Sequence, residues 1–216
     1  MKNIKVRKGR PRDAPFLAKS ILIAGRAHVS RGIWEVVLDS SEEEILRFLE
    51  FLVVTQVPHL FHYSCSLIAE KDDTVPVGSL GGYDPKKLGY QTLQEALPEV
   101  YRKLHLEGES YRRVNERAAE ILVCLPKELD NVWVIDSVAV LPEYRGNGVA
   151  ELLMQAILAK GKNLGYPMAQ VNMYIGNQPA LRLYQKFGFT VAEESRDAYF
   201  EKMIGSPGML SLVKKI

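Results

Sequence analysis

VWVIDSVAVLPEYRGNGVA, running from Val132 to Ala150, is the stretch on which the reading of this chain turns. Residues 132–140 are dominated by β-branched and apolar types, with Asp136 the lone charge among them, so they read as a buried strand. Pro142 ends it. Arg145-Gly146-Asn147-Gly148 make a sharp polar turn, and from Val149 the apolar spacing becomes helical, with Leu152, Leu153, Ala156 and Ile157 on one face until Gly165. A strand, a glycine turn and a helix start form a geometry for holding phosphate. The first N–H groups of a helix are unpaired, point the same way and carry partial positive charge. Gly146 and Gly148 let the backbone approach an anion with no Cβ in the way. The turn is not a P-loop, because no Gly-Lys-Ser/Thr follows. Nor is it a dinucleotide fingerprint, because the three-glycine pattern is missing.

A second patterned element lies downstream. Ala169–Tyr174 reads as a strand, and Asn177-Gln-Pro-Ala180-Leu-Arg-Leu-Tyr184-Gln-Lys-Phe-Gly188-Phe189 follows it. Asn177 is placed to cap a helix with Pro179 in its first turn, and Gly188 to end it. The turn Arg145–Ala150 resembles the R/Q-x-x-G-x-G/A loop of the GNAT superfamily, the acyl-CoA-dependent N-acyltransferases. Residues 177–189 resemble that family's N-x-x-A-x-x-L-Y-x-K-x-G-F element at every fixed position. The matched motifs cover about residues 132–204; the N-terminal half carries no comparable signature.

The resemblance implies an α/β fold of the α+β kind: a mixed, mostly antiparallel central sheet with helices on both faces, splayed between the fourth and fifth strands. It implies acetyl-CoA as co-substrate and no metal. The pyrophosphate would meet Arg145, Gly146, Asn147, Gly148, Val149 and Ala150, and Asn177 would touch the cofactor as well as cap its helix. The pantetheine arm would pair with backbone groups of Val138, Ala139 and Val140 along the splayed edge, the Val140 N–H also polarising the thioester carbonyl. Tyr184 matches the family tyrosine that sits near the sulfur and protonates the departing thiolate. Its plain alternative is a core aromatic beside Ala180 and Phe187. Arg145 equally suits a solvent-exposed turn.

Transfer to an amine needs a base, since an alkylammonium is protonated at neutral pH. Asp136 is the candidate. It is a charge inside an apolar strand, expected by alternation to share a face with Val134, Val138 and Val140, and burial would raise its pKa toward a useful value. A structural carboxylate accepting backbone hydrogen bonds is the alternative. The expected activity is therefore N-acetyl transfer to a primary amine by direct attack in a ternary complex. A non-catalytic acyl-CoA-binding module of the same fold is the competing reading.

Composition sets the frame. The chain has 216 residues, 47% of them hydrophobic, enough for one buried core. Its net charge of +2 indicates neither a nucleic-acid nor a membrane partner. The apolar run Phe48–Val57 is too short to span a bilayer, and the basic N-terminus has no apolar segment, so a cytoplasmic location is expected. Cys65 and Cys124 read as reduced buried thiols. The acceptor is a small-molecule or peptide amine, with the oligomeric state open and a homodimer among the candidates.

The remaining sequence reads as one GNAT-like domain over residues 1–216. Ile4–Lys8 is a first strand. Asp13 is placed to cap a helix over Phe16, Leu17 and Ile21. Ser41-Glu-Glu-Glu44 is a capping box opening a helix with Ile45, Phe48, Leu49, Leu52 and Val53 on one face. Ser64–Glu70 and Val75–Gly81 form two strands. About residues 83–131 exceed the family pattern and read as a helical insertion of two segments, with a capping box at Thr92–Glu95 and Pro98 breaking or starting one helix. The insertion would lie near the acceptor. Tyr83-Asp84 either borders the acceptor pocket or makes a turn. His59 and His62 share a helix face on spacing alone, without further ligands. Phe189–Ala192 and Ala198–Ile204 are expected to close the fold as a hairpin.

Overall fold

Chain order alone does not give the order of the strands in the sheet. The structure, a computed structural model, describes residues 4–216. Seven strands, β1 Ile4–Lys8, β2 Ser66–Lys71, β3 Val75–Tyr83, β4 Val132–Val140, β5 Met168–Tyr174, β6 Thr190–Arg196 and β7 Gly208–Lys215, form one sheet ordered β1-β2-β3-β4-β5-β7-β6. All neighbours are antiparallel except β4 and β5. Parallel neighbours need a crossover, and the helix Val149–Asn163 supplies it.

The helices are α1 Ala14–Arg26, α2 Ile33–Leu38, α3 Glu42–Leu52, α4 Pro85–Leu88, α5 Tyr90–Lys103, α6 Gly108–Leu122, α7 Val149–Asn163, α8 Gln178–Lys186 and α9 Ala198–Ile204. They cover both faces of the sheet. Val132 and Val134 point into a core with Leu17 and Ile21 of α1, Phe48, Leu49 and Leu52 of α3 and Val100 of α5. Trp133 and Ile135 point the other way, into a core with Leu153 and Ile157 of α7, Val171 of β5, Tyr184 of α8 and Leu212 of β7. No helix among the described residues is long and apolar enough to cross a membrane.

Helix α3 starts at the expected capping box. The Ser41 hydroxyl accepts from the Glu44 N–H at 3.3 Å, and the Glu44 carboxylate accepts from the Ser41 N–H at 3.0 Å. Elsewhere local signals give way to tertiary ones. Asp13 precedes α1 but makes no capping bond; its carboxylate is held by Arg7 at 2.7 and 2.9 Å and by the Arg10 N–H. Thr92 lies inside the first turn of α5 and donates to the Gly89 carbonyl, so Thr92–Glu95 is not a capping box. Helix α5 runs through Pro98 unbroken. The proline leaves the Gln94 carbonyl without its helical partner, at a residue on the exposed side of the helix. Residues 83–131 thus hold three helices, α4 to α6, rather than two segments.

The expected closing hairpin is also corrected. Ala198–Ile204 is helix α9, capped by the Asp197 carboxylate on the Phe200 N–H at 2.7 Å and ended at Gly205. The strands flanking it, β6 and β7, make the pairing, and β7 inserts between β5 and β6.

Candidate active site

The parallel pair sets the site. β4 and β5 are in register only from Val132 opposite Met168 to Ile135 opposite Val171. β4 continues to Val140 and β5 to Tyr174, so beyond that point the strands part. The backbone groups of residues 136–140 that face β5 are left without strand partners, forming an edge inside the sheet.

At the point of parting, Ser137 adopts φ 52°, a left-handed conformation rare for a side chain other than glycine. Between Ser79 opposite Ala139 and Gly81 opposite Asp136 the register slips by one residue, a β-bulge. The bulge reverses the alternation. Val134 packs in the core formed with α1, α3 and α5, whereas Val138 and Val140 pack against the opposite one. The expectation that Asp136 shares a face with Val138 and Val140 is therefore corrected: Val134 is its face partner, and the extra residue moves the later valines across the sheet.

Asp136 is held by its neighbour. One carboxylate oxygen accepts the Ser137 N–H and, at 3.0 Å, the Ser137 hydroxyl. Burial raises the Asp136 pKa above the ordinary carboxylate value, and the two Ser137 hydrogen bonds oppose the rise. Tyr184 of α8 is 5% exposed and packs on Phe189, ring centroids 6.1 Å apart. Its pKa is pushed well up, first by burial and then by the negative charge of Asp136. The phenol and the carboxylate line the same cavity.

The glycine turn lies at the far end of β4. Gly146 and Gly148 both have φ 74°, and Gly148 is the N-cap of α7. The Leu152 N–H bonds to the Gly148 carbonyl at 3.0 Å, so the N–H groups of Val149, Ala150 and Glu151 have no partner within the helix. Arg145 folds back, Nε donating to the Val140 carbonyl at 3.0 Å. The Asn147 amide donates to the Arg145 and Tyr144 carbonyls, bracing the turn from within.

One cavity of about 670 Å³ joins these parts. Asp136, Val138, Ala139, Val140, Arg145, Gly146, Gly148, Val149, Ala150, Asn177 and Tyr184 all line it; Asn147 does not. The Asn177 side chain accepts the Ala180 N–H at 3.3 Å, capping α8. Tyr83 lines the cavity and donates to Glu128 at 2.6 Å, while Asp84 turns away to cap α4. Burial raises the Glu128 pKa, and the Asp136 charge adds to the rise.

Several contributors carry no signal in the sequence. Tyr174, at the end of β5, donates to the Gly25 carbonyl at 2.8 Å and accepts the Ile33 N–H at 3.2 Å, pinning the connection between α1 and α2 over the site. Ser137 and Glu128 belong to no motif. The strand-ending position of Tyr174 before Gly176 is the one hint available. His59 and His62 lie outside the cavity lining, in the turns after α3, and share no helix face. No group of three or more residues suited to a metal ion occurs among the described residues.

Comparison with known proteins follows the same outline. Residues 33–189 match the family model described as the acetyltransferase (GNAT) family. An N-acetyltransferase from Staphylococcus aureus Mu50 is similar in structure at TM-score 0.69 and 19% identity, over 97% of this chain and 100% of that one. The NatC complex bound to Gag peptide and CoA gives TM-score 0.53 and 16% identity over 99% of each chain. An agmatine N-acetyltransferase gives 0.53 and 15% over 100% of each. These likenesses concern the fold. A search of curated protein sequences found no match.

Proposed function

The chain belongs to the acetyltransferase (GNAT) family of enzymes, and from that premise we propose that it transfers an acetyl group from acetyl-CoA to a primary amine in a ternary complex. The observation that carries this reading is the single cavity in which a left-handed glycine turn, an unpaired strand edge, a half-buried carboxylate and a buried phenol meet. These parts fit the two ends of an acyl-CoA. The turn offers converging N–H donors for a pyrophosphate, and the free edge of β4 offers a peptide-like partner to the pantetheine arm.

In this reading Asp136 takes a proton from the acceptor ammonium, freeing the nitrogen lone pair to attack the thioester carbon. The Val140 N–H donates to the carbonyl oxygen as negative charge develops on it. The carbon–sulfur bond breaks, and Tyr184 gives its phenolic proton to the sulfur. Of the two protons still on nitrogen one is surplus; it passes through solvent to the Tyr184 phenolate while the other stays as the amide N–H, so the site is restored once Asp136 releases its own. The reading takes residues 1–216 as one domain in which 83–131 shape the acceptor side. The agmatine and peptide-bound neighbours make an amine acceptor a natural class to test. Release of free thiol from acetyl-CoA, followed against a panel of primary amines, tests it. Tight acetyl-CoA binding without amine-dependent thiol release would leave only a binding module.

A further inference from the structure

Past Asp136 the cavity runs on between the helices that pack on the Val134 face of the sheet. Its wall there is built by Trp34 of α2, Phe48 of α3, Leu93, Leu97 and Tyr101 of α5 and Val114 of α6. The charge distribution along the lining is lopsided. Among the described residues its carboxylates are Asp136 and Glu151, and Glu151 sits in the first turn of α7 at the glycine turn. The polar lining side chains that α5 and α6 add besides tyrosine hydroxyls are two neutral amides, Gln94 and Asn115. An amine placed with its nitrogen at Asp136 would therefore extend into apolar surroundings. A second ammonium on the same molecule would be desolvated along this wall, where the one further carboxylate near the site, Glu128, stands outside the lining and is already engaged by the Tyr83 hydroxyl, which is strongly unfavourable.

The same space is reachable in principle by a long acyl chain. The bulge argues for the acceptor instead. The apolar wall lies on the face that carries Val134 and Asp136, whereas Val138 and Val140, on the edge where the thioester arm is placed, pack on the opposite face. We propose that the acceptor is a monoamine with a bulky apolar body, an alkyl or arylalkyl amine, and that diamines, polyamines and basic peptides are rejected. This rests on the acetyl-transfer reading above. The wall of Leu93, Leu97, Tyr101 and Val114 is the specificity element, and it belongs to the helices between β3 and β4.

The experiment compares butyl-, hexyl- and octylamine with octane-1,8-diamine, using the full chain, saturating acetyl-CoA and free-thiol release. The two eight-carbon amines present the same reacting group and differ only in the far end. The expected result is kcat/KM rising roughly 4-fold per added methylene until the cavity is filled. The diamine should be at least about 10-fold poorer than octylamine, the scale on which an unpaired buried polar group discriminates. Leu97→Glu, which supplies a carboxylate to the wall, should narrow or invert that preference. A diamine used as well as octylamine by the wild-type chain would overturn the inference while leaving acetyl transfer to amines standing. Thiol release that no amine of either kind stimulates would overturn both. Rates that ignore amine length but climb from acetyl- to hexanoyl-CoA would reassign the apolar space to the acyl chain and also overturn the proposal.

Discussion

Ser137 donates both its backbone N–H and its hydroxyl to one oxygen of Asp136, from a backbone at φ 52° inside a strand. One residue thus breaks the strand's alternation, opens the sheet and fixes the carboxylate. Both hydrogen bonds favour the charged form, and burial favours the neutral one. The two substitutions here have opposite signatures. Asp136→Asn should lower kcat and remove the acidic limb of the pH–rate profile. Ser137→Ala keeps the carboxylate but deletes one bond to its charged form, so the limb should move to higher pH. An unmoved limb in Ser137→Ala would assign it to another group.

The same carboxylate should cost stability. Its folded-state pKa is raised, so the folded protein holds the proton more tightly than the unfolded chain. Stability from this group is therefore greatest at low pH and declines as pH rises through the folded value. Asp136→Asn should raise the Tm at neutral pH while lowering turnover, and its advantage over wild type should shrink toward acid pH. Thermal melts across pH check this; a variant less stable than wild type at pH 7 would show that the Ser137 bonds outweigh burial.

Gly146 offers a test of anion binding separable from folding. Its φ is 74°, but a Cβ built there meets nothing within 4 Å. Gly146→Ala should therefore cost only the left-handed backbone strain, about 1 to 2 kcal/mol. A pyrophosphate seated on the turn would meet that methyl group. Acetyl-CoA affinity should fall by about 10-fold or more, measured by calorimetry on a variant that remains folded at the working temperature. Equal affinity in the folded variant would place the pyrophosphate elsewhere.

The parts of this protein that could be read in advance are those written in side-chain types. The glycine turn at 145–150 and the element at 177–189 fix a helix start, a cap and a helix end through residues that have few alternatives. The α3 face at Ile45, Phe48, Leu49 and Leu52 is equally plain, and all four side chains are buried. The bulge was hidden because nothing local calls for the left-handed turn at Ser137: serine has no preference for it, and the valines on either side look the same whichever face they occupy. Alternation carried through the bulge puts Val138 and Val140 on the wrong face. Pro98 misleads for the opposite reason. Its local rule is strong, yet α5 runs through it unbroken. For Ala198–Ile204 the helix signals, Asp197 and Gly205, stand in the sequence, and the apolar content between them outweighed them in the strand reading. Glu128 reaches Tyr83 from 45 residues away, a pairing that no local pattern encodes.

Tyr184→Phe removes one oxygen and keeps the ring against Phe189. Packing and acetyl-CoA affinity should survive, and turnover should fall by about 10² to 10⁴-fold where chemistry limits the rate. Burial and the Asp136 charge hold the phenol protonated well beyond its ordinary range. The alkaline limb of the pH–rate profile therefore should not belong to Tyr184, and it should persist, at reduced amplitude, in the phenylalanine variant. Wild-type turnover in a variant with chemistry shown to limit the rate would reduce Tyr184 to a packing residue.

Acid stability is expected to depend on His59, away from the site. Its ring is fully buried, and Nδ1 accepts the Phe61 N–H at 3.2 Å. Nε2 must then carry the proton, and it lies 3.0 Å from both the Leu52 carbonyl and the Thr55 hydroxyl. Protonating Nδ1 would set two donors against each other, and burial drives the pKa down to about 4 from the ordinary 6.5. The unfolded chain takes up the proton first, so stability is full above about pH 6.5 and is lost as pH falls toward 4. The loss attributable to this group is on the order of 3 kcal/mol. His59→Gln keeps a donor for the Leu52 carbonyl and has nothing to titrate. Urea unfolding at pH 7 and pH 4 should show wild type losing more stability than the variant by about that amount. Equal losses would mean that His59 is neutral and buried without being the group that acid attacks first.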